Sequence, residues 1–129
     1  MIEMSMLNMI IVGESLFFFV MGLVALIKPS FVTCVFREPT IAADMRNEVR
    51  AVYGGFGLAM CLALALTLYL DELRAGILFT VSIALLGMAF GRLVSFFIES
   101  VDGKNPAIFL LVEIVLGSGL LYAWSITAV

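Results

Sequence analysis

Histidine is absent from this chain. With it go the side chain that titrates between pH 5 and 8 unperturbed, the usual general base and the commonest metal ligand. Cysteine is scarce as well. Cys34 falls in a connecting segment and Cys61 in an apolar run, too few and too differently placed for a disulfide framework or a zinc site. Charged residues make up 13% of the chain, about half of the roughly 25% usual in a soluble domain. No basic run occurs and the formal net charge is -3, so nucleic acid is not an expected partner. Ser–His and Cys–His pairs, a phosphate-cradling glycine loop and zinc-ligand spacings are missing too. The expectation is a protein without metal or cofactor. Enzymatic chemistry is confined to carboxylates, Tyr53 and arginines, which leaves proton transfer or isomerisation on a lipophilic substrate.

What the chain has is apolar sequence. Of its 129 residues, 64% are hydrophobic, against about 45–50% in a soluble domain. The excess is gathered into four runs, 6–27, 49–70, 75–98 and 106–127. Each approaches or exceeds the ~20 residues a helix needs to cross a bilayer. Lipid offers no hydrogen bonds, so such runs must satisfy their backbones internally as helices. The predicted fold is all-α: an integral membrane four-helix bundle, one domain over 1–129, with a long first loop on the cytoplasmic side.

The connections differ in kind. Lys28-Pro29 closes the first run, because proline stops a helix. Residues 41–50 contain no breaker and extend the second helix outward. Asp71 to Arg74 reads as a tight hairpin, and 100–105, carrying Asp102-Gly103, as a second short turn. Within the long loop, 31–36 is apolar but far too short to span; it either dips into the interface or caps the bundle, and Pro39 separates it from the second helix. The start, Met1 to Ser5, lacks a basic n-region, and no cleavage site follows the first run, so that run is expected to be a retained helix and not a secretory signal. Lys28, Arg37, Arg46 and Lys104, with Arg50 at the edge, lie on one side of the predicted bundle, and Arg74 alone on the other. By the positive-inside rule the first side is cytoplasmic and both termini lie outside. Tyr69, Tyr122 and Trp124 fit an aromatic belt near the outer face.

Four charges, Glu14, Arg50, Arg92 and Glu113, lie where lipid should be. On insertion scales such a charge costs about 2.5–3.5 kcal/mol at a helix centre. At ~1.5 Å per residue, Arg92 and Glu113 both lie about 9–10 Å inside the same face, on helices joined by a short turn, so they are expected to pair. Glu48 and Arg50 enter from the same side, and Arg46, Arg50, Tyr53 and Gly54 continue along one helix face. Glu14 lies deepest, on a face with Phe18, Met21, Gly22 and Ala25. Small residues at Gly54, Gly57 and Cys61, at Gly87 and Gly91, and at Gly117 mark expected helix contacts.

The candidate polar cluster is therefore Glu14, Glu48, Arg50, Tyr53, Arg92 and Glu113. Three readings of it stay open. The charges fix the register of the bundle; or they bind a small lipophilic or amphipathic molecule, its head at Arg50 and Arg92 and its tail among Phe18, Met21 and Met88; or they serve proton-coupled transport by a dimer. A fourth reading needs no ligand: an accessory subunit docking exposed glycine or Phe faces onto a larger membrane complex. The expected partners are membrane lipid, a lipophilic small molecule, and a second copy or a larger membrane complex.

The run Asn47-Glu48-Val49-Arg50-Ala51-Val52-Tyr53-Gly54-Gly55, followed by Gly91-Arg92 and then by Glu113 with Leu116-Gly117, resembles a family of small bacterial four-helix membrane proteins that carries a domain-of-unknown-function name. The resemblance covers about 14–121. It implies a four-helix bundle and gives no reaction; the location expected for this chain is the bacterial inner membrane. The small multidrug transporters are similar in length, in having four spans and in a lone first-span glutamate. Their first cytoplasmic loop is very short and they lack an internal arginine pair of this sort, so they serve only as an analogy for transport.

Overall fold

The computed structural model describes residues 2–38, 40–101 and 103–128; the Met1 start, the breaker expected at Pro39 and the turn residue Asp102 lie outside the described residues. With water excluded, the apolar runs close their hydrogen bonds within themselves. Among the described residues the elements are all helical: α1 Ile2–Ile27, α2 Pro29–Cys34, α3 Ala43–Val49, a π-helical segment Arg50–Gly55, α4 Phe56–Leu66, α5 Asp71–Ile98 and α6 Lys104–Thr127. The second rod, Ala43–Leu66, joins α3, the π segment and α4. It is one of four helical rods long and apolar enough to cross a membrane. This is an all-α four-helix bundle and a multi-pass membrane protein.

The second and third rods depart from their expected bounds. The second starts at Ala43, in keeping with the breaker-free approach, but ends at Leu66, and the chain turns over 67–70. The four residues expected to form the turn, Asp71 to Arg74, are instead the first turn of α5. Asp71 and Glu72 place negative charge at the positive end of the helix dipole. Arg74 folds back over the turn. Its Nε donates to the Thr67 carbonyl at 2.8 Å and its Nη2 pairs with Asp71 at 2.6 Å. A string of charges that suggests a loop is thus the first turn of a helix.

The short α2 caps the bundle. Proline occupies its first turn, where the missing N–H costs nothing. The helix closes in a Schellman pattern, with Glu38 N–H on Thr33 O (3.0 Å) and Arg37 N–H on Cys34 O (2.9 Å). Arg37 takes the left-handed position, φ 66°, usually given to glycine. Just before Arg37, Phe36 packs on Phe109 of α6 with centroids 5.4 Å apart, and the Asn105 side chain donates to the Val35 carbonyl.

The rods pair as two antiparallel hairpins. α1 lies along the second rod, and α5 along α6. Glycine sets the closeness of the first pair. A Cβ on Gly22 would lie 2.9 Å from Leu58 N and 3.0 Å from Gly54 O, and one on Gly57 would lie 3.2 Å from Gly22 Cα. In the second pair a Cβ on Gly117 would meet Leu86 Cγ at 2.9 Å, and the Gly117 carbonyl accepts from Ser82 Oγ at 2.8 Å. Gly87 and Gly91, expected at a contact, are exposed, with open space where a Cβ would be. α5 buries Leu78, Val81, Ser82, Leu85 and Ala89. Position 87 is two residues from 85 and so about 200° round the helix, on the lipid side. The core joins Leu7, Ile11 and Phe18 of α1 to Leu64, Leu78, Val81, Leu85 and Leu120. Phe19, Leu62, Phe90 and Phe97 remain exposed, as residues facing lipid do.

Candidate functional site

α1 and α6 touch near Glu14: a Cβ on Gly119 would stand 3.8 Å from Glu14 Oε1, at ordinary van der Waals contact. Toward the α2 end the two hairpins part around a cavity of about 360 Å3. Its wall is built from every rod. α1 gives Phe17, Phe18 and Met21; the π segment gives Val52 and Tyr53; α4 gives Phe56; α5 gives Leu85, Met88 and Arg92; α6 gives Phe109, Val112 and Glu113. Phe31, Val32, Val35 and Phe36, in and after α2, close it at the loop end. A shallower recess shares Phe17, Val20, Met21 and Phe109 and reaches Gly13 and Leu16. The wall is incomplete. Phe31, Val20, Val52, Phe56 and Met88 line the cavity and are also 60%, 51%, 49%, 49% and 44% exposed, so it opens sideways, toward the lipid.

Within this apolar wall stands one ion pair. Arg92 Nε donates to both carboxylate oxygens of Glu113, each at 2.8 Å. Glu113 is 4% exposed, and the Arg92 side chain 21%. The guanidinium carbon lies 5.8 Å from the Phe36 ring centroid and 5.4 Å from that of Phe109, close enough for cation–π attraction of about 0.5–2 kcal/mol per ring. Phe109 is one helical turn before Glu113, so α6 alone supplies both the anion and an aromatic neighbour for the arginine.

The structure divides the six candidate residues. Arg92, Glu113 and Tyr53 share the cavity wall. Arg50 does not join them: it is exposed, and its Nε donates to the Leu26 carbonyl at 3.1 Å, satisfying the last turn of α1. Glu48 is exposed in α3. The face argument that grouped Arg50 with Tyr53 assumes a regular α-helix, whereas 50–55 is wound as a π-helix with i→i+5 bonding, which shifts the side-chain register. Glu14 is 4% exposed, one turn deeper than Phe17 and Phe18, and faces inward, but its Oε2 has no hydrogen-bond partner among the described residues.

Several residues escaped sequence reasoning. Phe36 reaches Arg92 from a loop that no periodicity places. Arg74 looks like a plain surface charge until the turn folds. Gly22 is expected on the Glu14 face, but its close crossing partners, Gly54 and Leu58, lie far along the chain. Phe109 was findable, four residues before a glutamate on the same helix face. Among the described residues no three His, Cys, Asp or Glu side chains converge as metal ligands would.

No curated protein and no solved structure matches the chain. A family model does match, over residues 6–125, a stretch that includes all of α2 through α5 and nearly all of α1 and α6. The chain therefore belongs to the family described as a domain of unknown function, DUF4345.

Proposed function

We propose that this protein binds a small lipophilic or amphipathic molecule between its helices, in the cavity at the cytoplasmic end of a bundle in the bacterial inner membrane. The carrying observation is the wall itself: aromatic and aliphatic side chains interrupted by Tyr53 and the Arg92–Glu113 pair. The volume falls in the range of about 300–1,000 Å3 usual for small-molecule sites, and so does the pattern of much apolar surface with few polar groups. The assignment to the cytoplasmic side rests on Lys28, Arg37, Arg46, Arg50 and Lys104 at the α2 end, against Arg74 at the other.

The test is purification in a mild non-ionic detergent, extraction with organic solvent and mass spectrometry of the extract. A molecule should accompany the protein at a constant ratio. Val112→Phe, which fills the cavity from α6, should lower that ratio several-fold without lowering the melting temperature. An extract of bulk lipid alone, the same for both proteins, would sink the reading.

A second reading is favoured by one observation. The Gly87 and Gly91 positions on α5 stand open beside exposed Phe90, a face on which another membrane helix can approach closely. In that reading the protein is an accessory subunit, and the same purification yields a stoichiometric protein partner.

A further inference from the structure

We infer that the cavity selects molecules whose head is uncharged and carries an acceptor oxygen, and discriminates against charged heads of either sign. This rests on the binding reading above and names the chemistry of the ligand.

The two ionic groups in the wall already neutralise one another. Both hydrogen bonds of the pair leave from Arg92 Nε. A guanidinium carries five N–H donors, so among the described residues the four Nη hydrogens have no acceptor. The cavity thus offers donors without offering net charge. A hydroxyl, carbonyl or ether oxygen accepts from Nη and leaves the pair intact. Tyr53, in the same wall, adds a hydroxyl that suits the same kind of head.

Charged heads meet a different wall. An anion competes with Glu113 for the arginine, and the loser is a carboxylate that is 4% exposed, with nothing else bonded to it among the described residues. A cation attracted by Glu113 has to approach past the guanidinium. Stranding a charge in a desolvated site is a strong device for rejecting the wrong partner. Phe36 and Phe109 reinforce it, because they hold the guanidinium beside Glu113 and resist its moving to follow a ligand.

The experiment uses three probes of equal chain length: 1-dodecanol, dodecanesulfonate and dodecylammonium. The full-length protein is held in non-ionic detergent at neutral pH, and occupancy is read by native mass spectrometry. Dodecanol should bind at least tenfold more tightly than either ion, and Val112→Phe should weaken it. Glu113→Gln removes the competing anion, so the preference for dodecanol over dodecanesulfonate should fall at least tenfold. Should that variant fail to fold, Arg92→Lys keeps the charge and replaces the four free Nη hydrogens by at most two on a shorter side chain; dodecanol should then weaken while the ions stay weak. Either ion matching dodecanol on the wild-type protein overturns the inference and leaves the binding reading standing. No binding of any probe, or binding that Val112→Phe leaves unchanged, overturns both.

Discussion

Arg92 is held from three directions, by the Glu113 carboxylate and by the rings of Phe36 and Phe109. Removing either ion leaves the other unpaired in an apolar wall. Arg92→Ala and Glu113→Ala should each destabilise the detergent-solubilised protein by about 3–5 kcal/mol. The double variant should lose clearly less than the sum, since only the first removal strands a charge; additive losses in the cycle would show that the pair contributes nothing as a pair. The glycines give a contrasting forecast. Gly22→Ala presses a methyl group against Leu58 N and Gly54 O, backbone that can yield only if α1 and the second rod separate, at a cost of about 1–3 kcal/mol. Gly87→Ala meets open space and should stabilise the isolated protein by up to about 1 kcal/mol through helix propensity. Thermal melts of both variants decide it. A loss of assembly in Gly87→Ala, with the melt preserved, would favour the accessory-subunit reading. At this scale the sequence was legible where depth along a helix is the governing variable, as for Arg92 with Glu113. It was opaque where the partner arrives from a loop, as Phe36 does, or where a glycine's role depends on which face of its helix is covered, as at Gly91.

Among the elements, long apolar runs announce themselves, and each of the four overlaps one helical rod long and apolar enough to cross a membrane. Their ends do not announce themselves, because end chemistry is local and competes with composition. Asp71 to Arg74 is polar enough to be a turn, yet its acids stabilise a helix start and its arginine bonds to the real turn. The π segment was invisible for another reason. Nothing in Arg50 to Gly55 demands i→i+5 bonding until α1 approaches, with Leu26 Cδ2 only 2.7 Å from where a Gly54 Cβ would stand. The α2 closure offers the cleanest test at this scale. Arg37 stands in the left-handed position at φ 66°, a conformation that costs a residue with a Cβ about 1–2 kcal/mol. Arg37→Gly should therefore raise the melting temperature slightly, by the equivalent of about 1 kcal/mol, with binding unchanged. A lower melting temperature would mean that the arginine side chain contributes more than its backbone strain costs.

For the whole molecule, orientation is the coarsest open property, and it rests on few charges. In a background with Cys34→Ser and Cys61→Ala, a membrane-impermeant thiol reagent should label Thr127→Cys from outside intact cells and leave Lys104→Cys unlabelled. The reverse pattern would invert the topology and move the cavity to the other leaflet. The way the hairpins part has a consequence of its own. Since α2 lies at the end of the cavity and exposed lining residues open it sideways, a ligand of the proposed kind would arrive from within one leaflet, as a solute dissolved in lipid. Occupancy would then follow the ligand's mole fraction among the surrounding lipids. Lengthening a ligand's chain adds about 0.8 kcal/mol per methylene to its partition into the bilayer, and so raises its apparent affinity from water without tightening its fit. With the ligand held in the bilayer, diluting vesicles with buffer should leave the protein filled, whereas fusing them with ligand-free lipid should empty it.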